Sequence, residues 1–204
     1  MKFRPADPTN FDFELNEEFI NKIHDGFLKG DISVGQRRHL IFATDAQLQL
    51  LGRAKSWYID ATFKVVKEPF SQLLSIHSFV KSSEGNYKQL PLLYVLMSWK
   101  KKRDYKAVFR MVKDLLPSMS LQEIILDYEM AMWRAADSIF PAVTVRGCAF
   151  HWFHKAASPT QVLEMYWQSC TKPSVVAASL RWSNNPGMMS GGRYGRAMIF
   201  LQKA

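Results

Sequence analysis

The sequence predicts a mixed α/β fold, in which a β-β-β-α-β-α-β order with short links builds a mixed sheet flanked by helices. Three observations carry this expectation. Three consecutive runs rich in β-branched and aromatic residues lie between positions 57 and 98, broken by KEP at 67–69 and SSEGN at 82–86. An amphipathic run follows and stops at Pro117. Two short apolar runs, 124–127 and 143–148, then alternate with a second helical stretch.

Taken in order, the opening thirty residues are acidic and interrupted by Pro5 and Pro8. Leu15, Phe19, Ile20, Ile23 and Phe27 stand at helical spacing, so a helix is expected over Asn16 to Leu28, stopped by Gly30. Thr44 or Asp45 suits the N-cap of a second helix, Ala46 to Lys55, with Leu48 and Leu51 on its apolar side. The three strand runs are Trp57–Val66, Phe70–Val80 and Gln89–Ser98, and their tight links predict an antiparallel meander. The helix Asp104 to Leu116 gathers Ala107, Val108, Met111, Val112 and Leu115 on one face. Ile124–Asp127 reads as a short buried strand, Glu129–Phe140 as a helix closed by Pro141, and Val143–Cys148 as the last strand. Another helix is expected over Ala149–Ala156. Beyond it SNNPGMMSGGRYGR has loop composition and no apolar period.

The chain has 204 residues, 48% apolar and 22% charged, which suits one sizeable domain with an extra segment. No stretch approaches the roughly 18 apolar residues of a membrane helix, and MKFRPADPTNFDFE has no apolar signal core. Two cysteines, Cys148 and Cys170, do not form a disulfide framework, so a reducing setting is expected. Net charge is +9, unevenly spread. Residues 1–50 hold 6 basic and 8 acidic side chains, whereas residues 53–106 hold 11 basic and 4 acidic ones. Such a concentration fits a surface that meets a polyanion, although a solvated, solubilising face has the same composition.

Asp60 falls in the middle of WYIDATF, where an unpaired buried carboxylate would cost several kcal/mol. Asp127 ends the apolar run IILDYE, where strand gives way to helix. If the strands bearing them are neighbours, the two carboxylates meet and repel unless a divalent cation lies between them. The bland alternatives are a satisfied polar residue at a strand bulge for Asp60 and a helix N-cap for Asp127. Cys148, His151 and His154 form C-x2-H-x2-H, at most three zinc ligands with no second pair nearby, so zinc is not expected there. Cys148 then ends a strand as a small buried group, with His151 shaping a site beside the aspartates. The run Lys100, Lys101, Lys102, Arg103 is available to phosphates and also reads as a nuclear-import signal, placing the protein in the nucleus. An inert exposed loop is the plain alternative. The absence of GxxxxGK[ST], GxSxG, HExxH and GxGxxG argues against P-loop, hydrolase, zincin and dinucleotide-binding readings.

Together WYIDATFKVV, FSQLLSIHSFV, LPLLYVLMSWKKKRDY, IILDYEMAMWRAADSIFP and GCAFHWFH resemble the Mutator-like element (MULE) transposase domain, from about Phe42 to Lys155. The resemblance implies an RNase H-like fold and DDE chemistry, in which two aspartates and a glutamate hold two Mg2+ or Mn2+ ions. Water and then a DNA 3′-hydroxyl attack phosphodiesters at transposon ends. Asp60 and Asp127 fall on the first and second aspartates, as catalytic and metal-binding residues, and Cys148 and His151 on the C-x2-H motif. His154 replaces a frequent glutamine. DNA, as transposon ends and target, is the implied partner, contacted by Lys64, Lys67 and Lys100–Arg103, with room for a homo-oligomer and no membrane. Residues 1–41 then read as an N-terminal helical and linker segment, 42–156 as a partial RNase H-like domain, and 157–204 as a divergent, poorly ordered tail. Glu164 is the only glutamate beyond the C-x2-H motif and stands outside family context. The expectation is therefore a truncated, inactive transposase domain lacking its third carboxylate. The alternative is a transposase-derived, non-catalytic protein that binds DNA or another protein. A stand-alone nuclease of the same fold would need Glu164 beside the aspartates.

Overall fold

Alternation in SWYIDATF sends Trp57 and Ile59 to one side of a strand and Tyr58 and Asp60 to the other. In the computed structural model, which describes residues 8–148 except Ile23 and Lys64, together with His151, this run is β3 (Ser56–Phe63). It follows α1 (Glu17–Asn21), β1 (Leu28–Val34), β2 (Arg37–Phe42) and α2 (Asp45–Arg53). After it come β4 (Gln72–Lys81), β5 (Tyr87–Met97), α3 (Lys102–Leu115), β6 (Glu123–Leu126), α4 (Met130–Ile139) and β7 (Thr144–Gly147). From β3 onward the order is the expected β-β-β-α-β-α-β.

The seven strands form one mixed sheet in the order β1-β2-β5-β4-β3-β6-β7. The antiparallel meander β3-β4-β5 is present, and β6 returns parallel to β3 after the α3 crossover. Contacts divide the chain into Met1–Val145 and Arg146–Ala204, and α1–α4 and β1–β6 all fall in the first unit.

The first forty residues depart from the expected helix. The helix is confined to Glu17–Asn21, and the chain turns at Gly26, whose φ of +63° suits a residue without Cβ. Residues 28–42 instead make a hairpin with Gly35-Gln36 at its tip and Gly35 at φ +64°. β2 of this hairpin pairs with β5, so the segment extends the sheet. Gly30 does not stop a helix; it lies in β1, where a Cβ would sit 3.3 Å from Met111 of α3. The apolar period of Leu15 to Phe27 is too short to outweigh a two-residue turn and a paired strand edge.

The helices and one sheet face share a single core. α3 contributes Tyr105, Val108, Phe109 and Val112 at the i, i+3, i+4, i+7 spacing, against Trp57, Ile59, Leu74, Ile76, Leu93, Val95, Ile124 and Leu126. Trp57 meets Phe140 edge-on at 5.6 Å, and its indole N–H donates to the Leu51 carbonyl at 3.1 Å. Leu48 and Leu51 of α2 and Met132, Ala135 and Ala136 of α4 complete the cluster. Because α2, α3 and α4 pack on the Trp57/Ile59 side, alternation carries Asp60 to the opposite face.

Candidate metal centre

β3 and β6 run side by side with Trp57 opposite Ile124, Tyr58 opposite Ile125 and Ile59 opposite Leu126. Asp60 is the next residue of β3, and Asp127 is the first residue past the end of β6. Neighbouring strands lie about 4.8 Å apart, and residues that face each other across a ladder project to the same side. Asp60 and Asp127 each follow directly on the last pair of this ladder, Ile59 opposite Leu126, and both are half-buried. The condition set by the sequence, that these strands be neighbours, is met.

Each aspartate is held through its backbone. The Asp60 carbonyl accepts from Ser75 Oγ at 3.4 Å, and Ser75 lies 2.8 Å from His77 Nε2. The Asp127 carbonyl accepts from the Trp133 indole at 2.8 Å, and its Oδ1 accepts from the Tyr128 amide at 2.6 Å. Asp127 does not cap α4, since that N-cap position belongs to Glu129. Two residues past Asp127, the Glu129 carboxylate accepts from the Tyr105 hydroxyl at 2.9 Å, which in turn accepts from Gln72 Nε2 at 2.9 Å. Burial pushes the Tyr105 hydroxyl pKa up, and the Glu129 charge beside it acts in the same direction. Sequence reading missed this chain, because Gln72, Tyr105 and Glu129 come from three separate elements and each reads locally as strand, core helix or cap.

The donor set is two hard carboxylates on a rigid sheet, which suits Mg2+ or Mn2+ rather than a thiolate-seeking ion. Among the described residues, no group of three or more His, Cys, Asp or Glu side chains converges to hold an ion. Cys148 is buried and follows β7, and His151 is half-buried; both fall in the unit that begins at Arg146. Lys64, His154 and Glu164 lie outside the described residues.

The basic run is solvent-facing. Lys100, Lys101, Lys102, Arg103 and Lys67 are all exposed. Its C-terminal side is fixed by Asp104, fully buried, which accepts from the Lys101 amide at 2.9 Å and from Arg37 at 2.9 and 3.2 Å. That anchoring carboxylate was not singled out in the sequence, where it reads as an ordinary first-turn acid.

The fold and this geometry define a class, a mixed α/β domain with an aspartate following the last pair of each of two adjacent parallel strands and an exposed basic run that leads into α3. Residues 56–155 match the family model of the MULE transposase domain, so the resemblance read from the motifs holds for that segment, which includes Asp60 and Asp127. β1, β2 and α2 precede the matched segment. No curated protein matches the chain.

Proposed function

We propose that this chain is a transposase-derived domain of RNase H-like architecture, which binds DNA and holds divalent ions between Asp60 and Asp127 for DDE-type phosphodiester chemistry. The single observation that carries the reading is the parallel pairing of β3 with β6, whose last pair, Ile59 opposite Leu126, immediately precedes the two aspartates. When bound, such ions activate the attacking oxygen and stabilise the leaving one. The chain's own part is to bind and orient. Asp60 supplies an oxygen ligand from β3 and Asp127 one from the first residue past β6. The Trp133 and Tyr105 hydrogen bonds hold the turn after Asp127, and the lysine loop attracts the phosphate backbone. The exposed Lys100–Arg103 run also fits a nuclear-import signal and thus a nuclear setting. Transposon ends and target DNA are the substrates of this reading, and a homo-oligomer is compatible with it.

The test is Mn2+ binding followed by electron paramagnetic resonance on the whole chain. Binding by wild type, lost in Asp60→Asn and Asp127→Asn with unchanged thermal melting, is expected. Equal binding by all three proteins would sink the site.

A second reading, a DNA-binding module without catalysis, is favoured by the lack of a third convergent acidic residue among the described residues. Filter binding over a salt series bears on it: affinity that survives Asp60→Ala and falls steeply with salt is expected. Robust Mn2+-dependent nicking that vanishes in Asp127→Ala would overturn it in favour of an active enzyme.

A further inference from the structure

Two aromatic rings that a sheet end could have buried are instead left half open beside the basic loop. Trp99 is 49% exposed and Phe63 44% exposed. Phe63 pairs with Gln72 and Gln72 with Met97, so Phe63 and Met97 lie on one row across β3, β4 and β5, and Trp99 follows two residues past Met97. Both rings thus stand at the same end of the sheet as the aspartates. Phe63 is three residues beyond Asp60 on β3, about 10 Å in the strand direction. It lies on the helix-bearing side of the strand, by alternation.

Each ring carries a cation. The Arg37 guanidinium sits 5.0 Å from the centre of Trp99, and the Lys100 ammonium 4.6 Å from the centre of Phe63. The two cations differ in kind. Arg37 is tied to the fully buried Asp104 through two hydrogen bonds, so it is a fixed cation against Trp99, which remains 49% exposed. Lys100 is exposed and can exchange its aromatic contact for a phosphate. Scattered exposed apolar groups are ordinary on protein surfaces. Paired rings fixed beside four consecutive exposed cations are a different arrangement, combining π-faces for bases with charges for a backbone.

We propose that Trp99, paired with Arg37 and flanked by Phe63 and Lys100–Arg103, is a stacking platform for unpaired bases of a single DNA strand. The proposal rests on the DNA-handling reading above and adds to it a preference for single-stranded DNA beside the Asp60/Asp127 end. Charge complementarity selects this occupant: the loop is cationic, the strand polyanionic, and any base offers a flat face to Trp99. An acidic protein segment would meet the lysines but gain nothing specific from a flat ring.

Fluorescence anisotropy on the full chain tests this with a labelled oligothymidine, the same strand with its bases removed, and a duplex of equal length. Trp99→Ala is expected to weaken oligothymidine binding about tenfold, leave duplex binding unchanged, and leave the salt slope unchanged because no charge is removed. Trp99→Phe is expected to keep most of the affinity, and the abasic strand to bind wild type as weakly as oligothymidine binds Trp99→Ala. Lys100→Ala with Lys102→Ala is expected instead to lower the salt slope by about two for both forms. Thermal melting of each variant guards against a folding defect, and the phenylalanine variant carries the test if alanine unfolds. Oligothymidine affinity unchanged in Trp99→Ala, or single-strand and duplex affinity lost in equal measure, overturns the platform while leaving the DNA reading standing. No DNA binding of any kind overturns both.

Discussion

At the scale of single residues, Asp60 and Asp127 matter to the proposed function because each follows directly on the last paired residues of β3 and β6. His39 presents the opposite case, a titratable group buried without exposure in the core. Burial holds its pKa below the usual imidazole value, against the pull of Asp104 at 3.4 Å, while Arg37 works in the same direction as burial. Folding therefore disfavours the protonated imidazole. An unfolded chain takes up the proton more readily, so stability is full above the ordinary value of about 6.5 and falls as pH drops below it, by at most about 1.4 kcal/mol per pH unit. Thermal melts between pH 7.5 and 5, as a working range of about two to three units, are expected to show this loss, and His39→Gln is expected to flatten it. Asp60 and Asp127 were legible in the sequence because carboxylates inside apolar runs are rare. Asp104 and Glu129 were not, since acids at helix starts are common and their partners, Arg37 and Tyr105, lie far along the chain.

At the scale of elements, α2 is set by its two ends. Thr44 Oγ accepts from the Gln47 amide at 3.2 Å, and Gln47 Oε1 accepts from the Thr44 amide at 2.8 Å, a reciprocal capping box that fixes Thr44 rather than Asp45 as the N-cap. Thr44→Ala is expected to cost about 1 kcal/mol in chemical denaturation. At the other end Gly52 meets the 118–120 segment so closely that a Cβ would lie 2.6 Å from the Ser118 carbonyl oxygen. The Gly52 carbonyl also accepts from the Ser120 amide at 2.8 Å. Gly52→Ala is therefore expected to cost more, about 1–3 kcal/mol, despite the better helix propensity of alanine. An equal or higher midpoint in Gly52→Ala would show that the segment yields freely. Between elements, Tyr105→Phe removes the donor to Glu129 and the acceptor of Gln72. It is expected to lower stability by about 1 kcal/mol, the net worth of the hydrogen bonds removed, read as a shift of the denaturation midpoint.

At the scale of the molecule, a folded chain that binds Mn2+ where the unfolded one does not must melt at a higher temperature with the ion present. At 100 times the dissociation constant the gain is about 2.7 kcal/mol, and calorimetry of wild type against Asp127→Asn should show it in wild type alone. A wild-type melt indifferent to Mn2+ would count against a shared ion site. The sequence by itself determined the strand and helix order between residues 57 and 147 and the solvent-facing basic run. Those properties are local, written in apolar periodicity, breakers and runs of like charge. It did not determine the β1–β2 hairpin, whose turn signal at Gly35 competes with a helical spacing just before it. Only the tertiary structure decided that Ser56 and Glu123, 67 residues apart, lie side by side. Strand pairing is made of hydrogen bonds between distant segments, so the register that sets Ile59 opposite Leu126, and the row that joins Phe63, Gln72 and Met97, exist in no local stretch of the chain.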